Sequence, residues 1–159
     1  MDTSGHMSLC EDYVSFETAK LLKEKGFKHW CYKCYGDAVY HNGTPISFDE
    51  ECDLKSAGLE DEIEYVEGGY LYDFGCDNRK EDAKVWAAPT IQMAMKWLRE
   101  EKGIAVIPVL SSVLDNEKFL WDVKIVVAKT NDSYSQGWVY ETQESACEAA
   151  IEYCLENLI

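Results

Sequence analysis

The chain has 159 residues, 47% of them hydrophobic and 28% charged, and its 30 acidic against 15 basic side chains leave a net charge of −15. A chain of that size is normally one soluble domain with a self-sufficient core. The charge opposes phosphate-backbone binding, which needs lysine and arginine to displace counterions, and it opposes anionic membrane surfaces.

The first residues, MDTSGHMSLCEDYVS, hold no apolar core, so no secretory signal is expected. Residues 1–6 read as a cloning remnant, because His-Met is what a common cloning site encodes and Met7 is a natural start. The fold is read as one domain over 7–159. Seven cysteines in a chain without a leader point to a reducing, cytoplasmic compartment. Their odd number forbids complete internal pairing, and free thiols serving as small hydrophobes are expected.

Ser15 is a good N-cap, Glu17 sits in the first turn, and Lys23 and Lys25 sit in the last. Gly26 is placed to end this helix in the left-handed conformation, with Phe27 making the apolar contact beyond it. A helix over 16–25 follows. The next stretch, 29–35, alternates with many aromatics and predicts a strand. That strand puts Trp30, Tyr32 and Cys34 on one side and Cys31, Lys33 and Tyr35 on the other.

Residues 37–87 form an acidic and aromatic segment. Asn42-Gly43 is the strongest short turn signal, with short strands at 38–40 and 46–48 on either side. Residues 49–62 are polar and acidic and read as an exposed loop or a short helix. Residues 63–75 predict a hairpin around Gly68-Gly69. In it Tyr65 faces Tyr72 and Ile63 faces Phe74, while the other face sets Glu64 opposite Asp73. Like charges there imply water or a cationic partner.

A second helix begins at the cap Thr90 and ends at Gly103, with Ile91, Ala94, Met95 and Leu98 as its inward stripe. Strands are expected at 104–110, where Pro108 argues for an edge or a bulge, and at 119–129. A turn at 130–137 and a last short strand at 138–140 precede a third helix over about 143–157, capped by Thr142. Its Cys147, Ala150, Ile151, Cys154 and Leu158 cluster on one side. The opposite side carries Glu144, Glu148, Glu152 and Glu156. The element order is α–β–(irregular β)–α–β–β–α, an α+β fold of three helices on one face of a mostly antiparallel sheet.

Three segments, YVSFETAKLLKEKGF (13–27), APTIQMAMKWLRE (88–100) and YETQESACEAAIEYCLENLI (140–159), resemble a large group of small proteins from Bacteroides-type gut bacteria and their phages. The resemblance implies a cytoplasmic protein of phage or mobile-element origin. It carries no activity and no catalytic residue. It places the scaffold in the helices and any specificity in the middle segment, in keeping with loops that carry function on rigid frames.

Chemistry-bearing motifs are few. A zinc site needs four ligands, and Cys31-x-x-Cys34 supplies only half, with Cys52 and Cys76 or His29 and His41 as possible completions. Cysteines on opposite strand faces do not share a metal, and no cofactor or metal is expected. A thioredoxin-like dithiol needs its first cysteine at a helix N-terminus, whereas here the helix precedes the pair. There is no P-loop, no Gly-x-Gly-x-x-Gly and no EF-hand pattern, and an enzyme is not expected.

Two features suggest binding. Residues 49–84 hold 13 acids and 4 bases, and residues 141–159 hold 5 acids and no base. Glu144, Glu148, Glu152 and Glu156, spanning roughly 18 Å of helix, together with Glu64 and Asp73, are the candidate acidic face. Trp30, Tyr65, Tyr70 and Tyr72 are the candidate aromatic face, beyond what one small core requires. The first function read from them is a non-catalytic protein that engages or inhibits a basic host protein through its acidic surface. The alternatives are a small-ligand, nucleotide-type binder with an aromatic pocket, and an enzyme or zinc protein. Neither direct nucleic-acid binding nor membrane binding is expected, and the nucleotide reading needs lysines such as Lys28 and Lys33 at the pocket.

Overall fold

The computed structural model describes residues 12–135, 137 and 139–159. Over these residues the fold is α+β, with four helices and two antiparallel sheets. The chain divides into two compact units: residues 15–88, and residues 89–159 with the stretch that precedes Ser15.

The 15–88 unit opens with α1, Phe16–Glu24, whose N-cap Ser15 accepts a hydrogen bond from the Thr18 amide. Gly26 follows at φ +91°, as its capping position requires. The core of the unit collects Ala19, Leu22, Phe27, Cys31, Cys34, Ala38, Trp86 and Ala87, all buried. Strand β1, Cys34–His41, is the centre of a four-stranded sheet. On one side it pairs with β2, Thr44–Pro45, through the Asn42-Gly43 turn. Both turn residues have positive φ (51° and 74°), the backbone that a tight two-residue hairpin turn needs. At its other end β1 pairs with β4, Trp86–Ala87. Strand β3, Ile63–Tyr72, runs antiparallel along β1, joined to β2 through α2, Phe48–Ser56, and a 3₁₀ turn at Glu60–Glu62.

Two devices close this unit. Cys34 and Cys76 form a disulfide with Cα atoms 6.2 Å apart, within the usual range. The buried Asn78 donates from Nδ2 to the Phe27 carbonyl and accepts at Oδ1 from the Ala87 amide, both at 2.9 Å. One side chain thus ties the end of the first helical segment to β4.

The 89–159 unit is a helix-on-sheet layer. Helix α3, Ile91–Glu101, starts at Thr90, whose hydroxyl accepts from the Met93 amide. Helix α4, Gln143–Asn157, starts at Thr142, which accepts from the Ser145 amide. The sheet has the order β5, Ile104–Val113; β6, Phe119–Val127; β7, Asp132–Ser135. Ile104, Val106, Val123 and Ile125 are buried, as are Ile91, Ala94, Leu98, Ala150, Ile151, Cys154 and Leu155 from the helices. Helix α3 packs on β5 and α4, and α4 on β5 and β6. Pro108 lies in β5, an edge strand, where its missing N–H interrupts no central ladder.

Several expectations are corrected. Among the described residues there are four helices rather than three, because, of the two readings of 49–62, it is the short helix that forms, as α2 over Phe48–Ser56, with Ser47 and Glu50 in a reciprocal capping box. Phe48 therefore opens a helix instead of closing a strand at 46–48. The described strands form two sheets rather than one. The strand expected at 29–35 begins only at Cys34, and before it Cys31 makes a two-way backbone bridge with Cys76. The hairpin around Gly68-Gly69 is a single strand. Gly36 pairs with Tyr70 and Ala38 with Val66, so residues 67–69 bulge opposite Asp37. Gly68 sits at φ +64° against the Phe16 ring, where no side chain fits. Part of the turn expected at 130–137 is strand β7. The strand expected at 138–140 is reduced to a bridge between Tyr140 and Trp121, and Trp138 lies outside the described residues.

Candidate functional site

The 15–88 unit carries an open cleft of about 670 Å³, walled by β1, the corner from β2 into α2, and the end of β3. A volume of that size suits a small ligand. Its aromatic walls are Tyr40, Phe48, Tyr70 and Tyr72, with Val39 and Ile46 among the aliphatic lining and Glu51 and Asp73 as its carboxylates.

Each wall has a local cause. Tyr70 and Tyr72 share a face because they lie two apart on β3. Their rings sit 4.7 Å apart and tilted by 56°, and Tyr72 meets Phe74 at 5.3 Å. Gly36 makes room for Tyr72: a Cβ there would come within 2.9 Å of the ring. The Tyr72 hydroxyl donates to the Asp37 carbonyl at 2.7 Å, which fixes the ring. Burial first, and then the neighbouring Asp37 charge, raise the Tyr72 phenol above the usual tyrosine value. Behind this wall Asp37 Oδ1 is buried and has no hydrogen-bond partner among the described residues. Phe48 and Tyr70 stand 75% and 56% exposed, a large apolar area left open at the mouth.

Glu51 is only 9% exposed. Its Oε1 accepts from Lys55 Nζ and from the Tyr65 hydroxyl, each at 2.7 Å. Those hydrogen bonds, Lys55 first, hold the carboxyl below the usual glutamate range, so it is ionised at neutral pH. The same carboxylate raises the Tyr65 phenol. Asp73 is exposed and makes no ion pair or hydrogen bond among the described residues. With Lys55 neutralising Glu51, Asp73 carries the net negative charge of the lining.

Of the residues singled out in the sequence, the cleft brings together Tyr70, Tyr72 and Asp73. Tyr65 belongs to it indirectly, by holding Glu51. Trp30 does not: it is half-exposed, packs over Gly75 and meets Tyr32 edge-on at 4.6 Å. Glu64 is paired across from Tyr40 rather than opposite Asp73. The glutamate stripe on α4 is uneven. Glu144 and Glu156 are exposed, whereas Glu148 and Glu152 are half-buried and engaged in interactions. The sequence reading missed Tyr40, Phe48 and Glu51. The one signal for them was Ser47-x-x-Glu50, a helix start that would have put Phe48 and Glu51 on its first turn.

The cysteines match the expectation of small hydrophobic thiols in part: Cys31, Cys147 and Cys154 are unbridged and buried, whereas Cys34 and Cys76 are joined. Cys31 and Cys34 both meet Cys76, one through the backbone and one through sulfur. The disulfide removes the ground on which a reducing compartment was inferred. Burial pushes the free thiols of Cys31 and Cys154 up to about 12 and that of Cys147 up to about 11, which makes them packing groups rather than nucleophiles. Among the described residues no three His, Cys, Asp or Glu side chains converge on a metal position, and no helix is long and apolar enough to cross a membrane.

The lysines sit elsewhere. Lys20, Lys23 and Lys28 line a separate concavity of about 410 Å³ beside Trp86. Lys23 donates to the Ala83 and Val85 carbonyls at 2.6 and 2.9 Å, Lys20 pairs with Glu67, and Lys28 with Glu81. Neither Lys28 nor Lys33 lines the aromatic cleft, whose charge opposes a phosphate-bearing ligand. The comparisons with known proteins add no assignment: no family model, no curated protein and no solved structure matches the chain.

Proposed function

We propose that the protein is a non-catalytic binding protein whose binding element is the aromatic cleft of the 15–88 unit. The observation that carries this reading is the cleft itself, about 670 Å³ with four aromatic side chains converging from three segments of chain. Such convergence of apolar area with few polar groups is the usual construction of a small-ligand site. The Ser47 hydroxyl in the lining serves as the cap of α2, accepting the Glu50 amide, which supports a reading of binding. Ligand-observed NMR screening of a chemically mixed fragment library tests this, with Phe48→Ser/Tyr70→Ser as the control. Both side chains are largely exposed, so the control keeps the fold. Fragments that bind the native protein and not the control support the reading. A library with no hits, or hits that persist in the control, refutes it.

A basic protein partner, engaged through acidic and aromatic surface, is the second reading. The exposed pair of Trp30 and Tyr32 favours it, since tryptophan and tyrosine are enriched among the residues that anchor interfaces. The phage or mobile-element origin suggested by the three resembling segments belongs with this second reading.

A further inference from the structure

Resting on the cleft reading, we infer that the ligand is a small organic cation. Four aromatic side chains line the cleft, and the negative face of an aromatic ring attracts a cation within about 6 Å of its centre. Aromatic rings alone would accept neutral apolar ligands equally well, so the choice rests on charge. Among the described residues the lining holds Glu51 and Asp73 and no lysine or arginine. Lys55 lies beside it, with its Nζ committed to Glu51 at 2.7 Å. Asp73 remains at the rim with no counter-ion among the described residues, and Asp37 lies behind the Tyr72 wall. The field in the cleft is therefore negative, within a protein already at −15.

The lining offers such a cation two kinds of contact. Asp73 is a carboxylate with no partner among the described residues, and the bonds Glu51 makes run through Oε1, leaving Oε2 to accept. Around them stand rings and aliphatic carbon, which suit the apolar part of an organic ammonium. The volume exceeds what one ammonium group fills, so the ligand has a body beyond it, running along Val39 and Ile46.

Calorimetric titration of the intact chain with choline, and with its neutral isostere 3,3-dimethylbutan-1-ol, tests the inference. Choline is expected to bind at least about tenfold more tightly than the alcohol, the size of a desolvated cation–ring contact. Asp73→Asn is expected to weaken choline several-fold and leave the alcohol unchanged. Because Asp73 is exposed, that variant folds, and its melting curve verifies it. If the alcohol binds as well as choline, the cleft reading stands and the cation inference falls. If neither binds, and the fragment screen is also empty, the cleft reading itself falls. Choline binding undiminished in Phe48→Ser/Tyr70→Ser places the cation elsewhere and overturns the inference.

Discussion

The two units of this chain are held together by different means. In the 89–159 unit two capped helices cover a three-stranded sheet, and aliphatic side chains fill the space between them. In the 15–88 unit two of the strands, β2 and β4, are only two residues long, residues 67–69 of β3 bulge, and the closure depends on one disulfide and one buried asparagine. The first is a packing solution and the second a cross-linking solution. The cross-linked unit is the one that leaves aromatic side chains uncovered, around a cleft with unpaired charge. A region closed by point ties can present rings that a continuous core would have consumed.

The sharpest way to break this contrast is to cut a tie. Cys34→Ala with Cys76→Ala removes a cross-link spanning 42 positions, worth about 4 kcal/mol in the chain-entropy limit. Hydrogen exchange followed by mass spectrometry should show faster exchange in peptides from β1 and β3, with α3 and α4 peptides unchanged. Equal acceleration of both units would erase the distinction. The matching change in the packed unit is Leu98→Ala, a fully buried side chain on α3, expected to cost about 3 kcal/mol. Here the acceleration should fall on β5, β6 and α4. Asn78→Leu comes next. It strands the Phe27 carbonyl and the Ala87 amide in a buried place, at about 2 kcal/mol, and should loosen β4 first.

A smaller effect concerns the cleft floor. The Glu51 carboxyl is held below its ordinary value of 4.5, so the stability it contributes is present above the ordinary carboxylate range and is lost as pH falls through its lowered value. Native protein should therefore melt higher than Glu51→Gln at neutral pH, and the two melting curves should converge in acid. A gap that persists unchanged in acid would contradict the ionised state. The smallest effect is expected on α4. Glu156→Lys places a cation at the helix end that favours one, for a gain of about half a kcal/mol, and should not touch binding.

The legible parts of the sequence were those whose signals are local. Ser15, Thr90 and Thr142 announced three helices, and each accepts the hydrogen bond that a cap should. Asn42-Gly43 announced its hairpin, and Pro108 its edge strand. Gly68-Gly69 misled because paired glycines serve a tight turn and a bulge equally well. The difference is made by Phe16, Tyr35 and Trp86, distant in sequence, which pack together where a turn would have left space. The Cys34–Cys76 pair was beyond reach because spacing does not determine connectivity. The aromatic cleft was half legible. Tyr70 and Tyr72 stood out as surplus rings, but the other aromatic walls are Tyr40 and Phe48, and it takes the register of β1 on β3 together with the corner from β2 into α2 to bring these together. The glutamate stripe on α4 looked continuous because a helical repeat cannot tell an exposed position from a half-buried one.

The most direct test of the claim that the 15–88 unit carries the site is a backbone amide NMR titration of the intact chain with choline. The account predicts saturable shifts confined to residues 38–51 and 70–73, with amides of α3, α4 and the concavity at 114–121 staying in place. Shifts centred on 114–121 would contradict it, as would the absence of shifts both with choline and with every fragment of the library.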